Sequence, residues 1–366
     1  MEADLVLWIV VVTALVFAFT NGFHDTANAV ATSVSTRAMR PRSAVALSAV
    51  LNFAGAFLSL EVAATIADDI VDAAQVTPAI VFAGLIGGIA WNLATWYFGL
   101  PSSSSHALIG GVLGATLLAQ GREAIHGAEL IATVVIPALV APVVAFAVAG
   151  AGIVVTYRLV AGRRTARVTR GFRAGQVASG ALFSLSHGTN DAQKTMGVIF
   201  LALVANGTLS EGDPVPAWVV VSAALALALG TYAGGWRIIR TLGTRIISMD
   251  PAQGFVAQGS GGAVILAASQ VGVPLSTTHV ISGAVTGAGA AKRLSAVRWG
   301  LAGNILLAWL LTLPASALVG GAAYALISLL GEEAAGPIVV SVMLVVLLAV
   351  ALVRRLPAGR TLTAEG

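Results

Sequence analysis

Apolar residues run along this chain in long blocks, and polar residues are gathered into short intervals between them. Such blocks predict membrane-crossing helices, since a hydrocarbon core of about 30 Å takes roughly 20 helical residues per crossing. Leu5–Thr36, Ser43–Ala67, Thr77–Ala119, Leu130–Tyr157, Ala174–Val204, Ala217–Trp236, Pro251–Ala291, Trp299–Leu330 and Pro337–Val353 cover most of the length. Two of them, Thr77–Ala119 and Pro251–Ala291, are too long for a single crossing. Their second limbs, from Ser105 and from Thr278, are short for another full one, so each block predicts a re-entrant helical hairpin meeting at membrane depth. The pattern as a whole predicts an all-α integral membrane protein with about 11 apolar helical segments. The first block follows Glu2 and Asp4 rather than a positive stretch, and reads as a retained span.

Composition agrees: 57% of the 366 residues are hydrophobic and 10% are charged, which leaves no soluble domain of useful size. There is no cysteine, so disulfides and thiolate metal sites are excluded. The net charge of +4 carries no nucleic-acid signal, because its distribution follows topology. Of the 20 basic residues, 18 lie in Arg37–Arg42, Arg158–Arg173, Arg237–Arg245, Lys292–Arg298 and the tail from Arg354. Positive loops face the cytoplasm. The intervals Asp68–Gln75, Gln120–Glu129, Asn206–Pro216 and Gly331–Gly336 are acidic or mixed and are placed outside. This walk puts the N-terminus outside and the C-terminus inside.

The most unusual stretch is Ser186-His187-Gly188-Thr189-Asn190-Asp191-Ala192-Gln193-Lys194-Thr195, which sets an acid and a base inside an apolar block. A copy stands 166 residues upstream as Asn21-Gly22-Phe23-His24-Asp25-Thr26-Ala27-Asn28, so that Asp25 aligns with Asp191. A second pair, Pro101-Ser102-Ser103-Ser104-Ser105-His106 and Pro274-Leu275-Ser276-Thr277-Thr278-His279, recurs at an offset of 173. Two motif pairs in the same order, in blocks that cross in opposite directions, predict an inverted-topology repeat. The boundaries are 1–157 and 174–330 for the repeats, 158–173 for an arginine-rich cytoplasmic loop, and 331–366 for an extra helix and tail.

Among charged residues only Asp25, Glu61, Asp191 and Lys194 fall inside the apolar blocks, and Glu61 lies near the outer end of its block, where a solvated position is expected. A charge at membrane depth marks a functional site by default. Asp25 and Asp191, with amide oxygens from Asn28 and Asn190, make an oxygen site for Na+ or Mg2+, or a carboxyl that takes a proton. Gly22 and Gly188 beside them would permit unwound backbone whose carbonyls can also ligate a cation. His24 joins the coupling group as a proton exchanger. Lys194 stands one turn from Asp191 and either neutralises it or meets an anion.

The hydroxyls of Ser103, Ser104, Ser105, Ser276, Thr277 and Thr278 follow helix-breaking prolines and open new helices, where free N–H groups and the dipole favour an oxyanion. With Gln193 and Lys194 they form the expected phosphate-binding set, and His106 and His279 are secondary candidates for orienting hydroxyls or moving protons. An intramembrane hydrolase is the competing class, because Ser105 precedes His106 and Thr278 precedes His279; neighbours on a helix point about 100° apart, which disfavours such a dyad. A passive anion channel gives the paired acids no role.

GFHDTANAVAT, GTNDAQKTMG, LPSSSSH, VPLSTTH and DPAQGF together resemble the inorganic phosphate transporter (PiT) family over essentially the whole chain. The resemblance implies a secondary active phosphate symporter with an inverted-repeat fold, coupled to Na+ or H+, and some bacterial relatives carry sulfate. The family's G-x-N-D core stands at Gly188, Asn190 and Asp191. His24 takes the place of Asn in the first copy, as in the bacterial proton-coupled branch, so H+ is expected ahead of Na+, with Mg2+ carried as a metal–phosphate complex a further form. No tightly bound cofactor, no enzyme activity and no nucleic-acid partner are implied. The expected setting is a bacterial plasma membrane, with the lipid bilayer and phosphate as partners, and a homodimer is compatible.

Overall fold

The computed structural model describes residues 2–68 and 70–353; the tail assigned to the cytoplasm from Arg354 lies outside the described residues. All regular elements among the described residues are helices, accompanied by one isolated antiparallel bridge between Val71 and Ile125. In order they are α1 (Glu2–Ser35), α2 (Pro41–Gly55), α3 (Glu61–Asp68), α4 (Pro78–Phe98), α5 (Ser104–Gln120), and α6 (Gly127–Leu130), which passes through a π turn into α7 (Ile136–Val160). Then come α8 (Thr165–Ala205), α9 (Ala217–Ala233), α10 (Trp236–Arg240), α11 (Pro251–Gln270), α12 (Thr277–Lys292), α13 (Trp299–Leu330) and α14 (Ala335–Val353).

Among the described residues four helices are long and apolar enough to cross a membrane, and a fifth counts if α9 is joined to Trp236–Arg245 across a 59° bend. That is fewer than the 11 apolar segments expected, and the reason is local. The limbs α5, α11 and α12 are short or rich in glycine and hydroxyls, and α8, at 41 residues, carries the buried polar run. The arginine-rich stretch is a loop only at its start. Helix α8 begins at Thr165, so Arg167, Arg170 and Arg173 ride its exposed first turns, where arginine's good helix propensity suits them. Glu61 is exposed at the first turn of α3, as expected of an interfacial acid.

Both long blocks form hairpins, and the capping chemistry explains where each limb starts and stops. Helix α4 opens on a Thr77 cap followed by Pro78 and closes at Gly99, which adopts φ +66°. Helix α5 starts at Ser104, with the Oγ of its N-cap Ser103 accepting the His106 N–H at 3.1 Å. Helix α11 opens on an Asp250–Gln253 capping box ahead of Pro251, and α12 restarts where Ser276 Oγ accepts the His279 N–H at 3.3 Å. Asp250 also accepts from Tyr157 Oη (2.5 Å) and Lys292 Nζ (3.1 Å). Partial burial alone would raise the Asp250 carboxyl, but those hydrogen bonds and the Lys292 charge hold it below its ordinary value.

Packing exchanges partners between the two halves of the chain. Helix α1 lies on α9 while α2 lies on α8; α5 is held between α4 and α13, and α12 between α11 and α7. Glycines make the first two contacts possible. A Cβ on Gly22 would land on the Leu227 carbonyl, and one on Gly188 on the Asn52 carbonyl. Small residues that let backbones touch are the usual means of close helix association in lipid. The expectation of unwound backbone at Gly22 and Gly188 is therefore corrected: α1 and α8 run unbroken through both, because glycine serves close approach here.

Candidate functional site

The acids of the two repeated motifs meet at the hairpin tips. Asp25 on α1 and Asp191 on α8 are 1% and 0% exposed, and each is surrounded by donors from both its own helix and a tip. Ser104 Oγ donates to Asp25 Oδ2 at 2.6 Å and Thr278 Oγ1 to Asp25 Oδ1 at 3.4 Å, while His24 Nδ1 lies 2.7 Å from Oδ1. Asp191 Oδ1 accepts from Lys194 Nζ at 2.5 Å and Asn190 Nδ2 at 3.1 Å. Its Oδ2 accepts from Thr277 Oγ1 at 3.4 Å and lies 3.0 Å from His187 Nε2. Lys194 Nζ also donates to Ser105 Oγ (2.5 Å) and to the Leu275 carbonyl (2.8 Å).

Ligand atoms of Asp25, His187 and Asp191 all lie within 4.8 Å of one another. Around them Asn28 Oδ1 and Asn190 Oδ1 are buried with no hydrogen-bond partner, although both amide nitrogens are engaged. A buried acceptor without a donor is costly. Two carboxylates and two orphaned amide oxygens form the donor set that a hard cation takes. The chemistry of the residues present thus fits a cation between the motifs.

Of the expected phosphate-binding residues, Ser104, Ser105, Thr277, Thr278 and Lys194 converge here. Ser103 and Ser276 reach the same tips, but their side chains cap α5 and α12. Gln193 points elsewhere: its Oε1 accepts from the Val62 and Ala63 N–H groups at 2.8 and 3.2 Å, and so it caps α3. His106 and His279 face each other rather than the hydroxyls, with ring centroids 4.9 Å apart, and His279 stacks on Trp309 at 4.0 Å. Ser105 bonds Lys194 and not His106, which removes the geometric basis of a hydrolytic dyad.

A surrounding polar shell was not foreseen from sequence. His24 Nε2 lies 3.1 Å from Thr95 Oγ1, which accepts from Ser102 at 2.8 Å. Asn52 bridges the halves, its Oδ1 lying 3.2 Å from His187 Nδ1 and its Nδ2 donating to Thr231 at 2.8 Å. The signal that could have found Asn52 is the one used for the acids, a strongly polar side chain within an apolar block.

Residues 21–320 match the sequence model described as the phosphate transporter family. The chain belongs to this family. A Mycobacterium bovis protein named as a probable low-affinity inorganic phosphate transporter is 55% identical over 326 residues, spanning 89% of this chain and 78% of its own length. Similarly named proteins of Rhizobium meliloti and Bacillus subtilis are 47% and 43% identical, covering 86% and 90% of this chain and 94% and 100% of theirs. The fold is similar to that of a solved structure titled as the sodium-dependent phosphate transporter, with a TM-score of 0.82 and 24% identity over 88% of this chain and 99% of that one. Membership makes this an integral membrane transport protein rather than an enzyme.

Proposed function

We propose that the chain is a secondary active symporter that carries inorganic phosphate across the plasma membrane with a cation, H+ ahead of Na+. The observation that carries this reading is that Ser104, Thr277 and Thr278 donate to the same two carboxylates that would hold the cation. A hydroxyl has a single proton to donate. With no cation between the acids, those donors are directed at Asp25 and Asp191. A cation on the carboxylates frees them to turn to an arriving oxyanion, and Lys194 adds a fixed positive charge. Cation and phosphate therefore favour one another, which is the thermodynamic requirement for coupling.

His24, whose Nδ1 lies 2.7 Å from Asp25 Oδ1, supports protons as the coupling ion, since a ring nitrogen and a carboxylate in contact can pass a proton between them. A Mg2+–phosphate complex suits the same donor set. Phosphate can donate as well as accept hydrogen bonds, so buried carboxylates favour it over sulfate; the relatives described above are named for phosphate, and the sulfate reading finds no support. In proteoliposomes, phosphate should accumulate with an inward proton gradient and no Na+, and a tenfold excess of sulfate should compete weakly. Accumulation with a Na+ gradient alone would reverse the proton assignment.

The transport cycle in this reading uses an inverted repeat of 1–157 and 174–330, with the N-terminus outside, the C-terminus inside and the segment 158–173 inside. The matched contacts of the two motif pairs support it. Single cysteines at Asn206 and Arg164 should react with an impermeant reagent from opposite faces of intact cells and inverted vesicles. Labelling of both from one face would remove the inversion.

A further inference from the structure

The two copies of the site make corresponding contacts, and their formal charges differ at a single place. Ser104 donates to Asp25 as Thr277 donates to Asp191. Asn28 Nδ2 donates to Thr278 Oγ1 at 2.9 Å as Lys194 Nζ donates to Ser105 Oγ at 2.5 Å. Asn28 and Lys194 each stand three residues beyond their acid. Where the first copy has a neutral amide with a buried, unpartnered Oδ1, the second has an ammonium.

The surroundings of that ammonium are those of a bound metal cation. Lys194 Nζ sees a carboxylate oxygen of Asp191, the hydroxyl of Ser105 and the main-chain carbonyl of Leu275, all oxygen and all within 2.8 Å. Leu275 belongs to the non-helical link between α11 and α12, and carbonyls freed at broken helices are where transporters hold their coupling cations. Lys194 is only 1% exposed and its nitrogen is covalently tethered to α8, so it cannot leave the position as a free cation can.

We infer that Lys194 is a tethered cation that permanently fills the second of two equivalent cation positions. The first, at Asp25 and Asn28 Oδ1, is left as the one an external cation enters. With Asp191 already neutralised by Lys194, Asp25 is the acid of the pair that still requires a charge from outside. The chain then moves one fewer cation with each phosphate than a site carrying an amide in both copies. This inference rests on the cation-coupled reading above and assigns its stoichiometry to one side chain.

The test is Lys194→Asn, which gives the second copy the residue of the first. Purified parent and variant are unfolded thermally in a titration of NaCl against choline chloride at constant ionic strength, and separately of MgCl2. Lys194→Asn should gain a cation-dependent rise in Tm on the order of 5 °C beyond whatever response the parent shows. Asp191→Asn in the same background should abolish that gain, and Lys194→Arg, which keeps a tethered charge, should behave as the parent. A folded Lys194→Asn protein whose Tm responds to both cations no more than the parent's does would overturn the inference. Should Lys194→Asn be recovered only when Na+ is present throughout purification, that supports the inference; if it is recovered under neither condition, Lys194→Gln takes its place under the same criteria. The parent's own response reports the Asp25 position alone, so a failure of the general cation-coupled reading appears there and not in the difference between proteins.

Discussion

Asp25→Asn and Asp191→Asn should each abolish phosphate accumulation while leaving the protein in the membrane. Asn preserves the size of each side chain and one acceptor oxygen, so Ser104 can still donate at position 25 and Thr277 at position 191. What is lost at position 25 is the charge that a coupling cation must meet, and at position 191 the counter-charge of Lys194. Removing one member of a buried charge set costs about 3–5 kcal/mol, equivalent to a loss on the order of 100-fold or more in coupled uptake. The two variants should part company in stability. Asp191→Asn leaves Lys194 buried with no counter-charge, whereas Asp25 has no such fixed cationic partner. Its Tm should fall, and adding Lys194→Gln should restore stability without restoring uptake. The measurement is uptake into proteoliposomes together with thermal unfolding of the same preparations. Parental accumulation in both single variants would end the coupling role of the acids.

The acids were legible in the sequence because a charge inside an apolar block has few physical explanations. The hairpins were legible for a different reason: the blocks Thr77–Ala119 and Pro251–Ala291 exceed one crossing, and their second limbs, opening after Pro101 and Pro274, are short for another. The positions of Ser104 and Thr277 at corresponding places on two tips followed from the repeat offset. Side-chain direction did not follow. Gln193 adjoins Lys194 in sequence, yet the helical turn between them sends its amide to α3 while the ammonium goes to Ser105. Which helices touch was equally hidden. Helices such as α9 and α13 are apolar on every side, so periodicity marks no packing face, and the exchange of partners between halves depends on close backbone contacts that no pattern records. The expectation of unwound helix at Gly22 and Gly188 failed on that account. Glycine permits irregular backbone and close approach alike, and only the neighbouring carbonyls distinguish the two.

Gly188→Ala should be among the most damaging single-methyl changes in the chain. Its Cβ would fall on the Asn52 carbonyl of α2, a backbone atom that cannot rotate away, so α2 and α8 must separate. Overpacking of this kind costs about 1–3 kcal/mol or more. The damage extends into the site, because Asn52 joins His187 to Thr231, and His187 lies against Asp191. Gly22→Ala meets the Leu227 carbonyl of α9 and should behave in the same way. Gly303→Ala on α13 is the control: nothing lies within 4 Å of its added methyl, and removing a helical glycine there should be neutral or stabilise by roughly 0.5–1 kcal/mol. Thermal unfolding followed by size-exclusion of the three purified variants separates the cases. A Gly188→Ala protein with the parent's Tm and uptake would mean that α2 and α8 do not approach as closely as the glycine contact requires, and the placement of Asn52 beside the acids would fall with it.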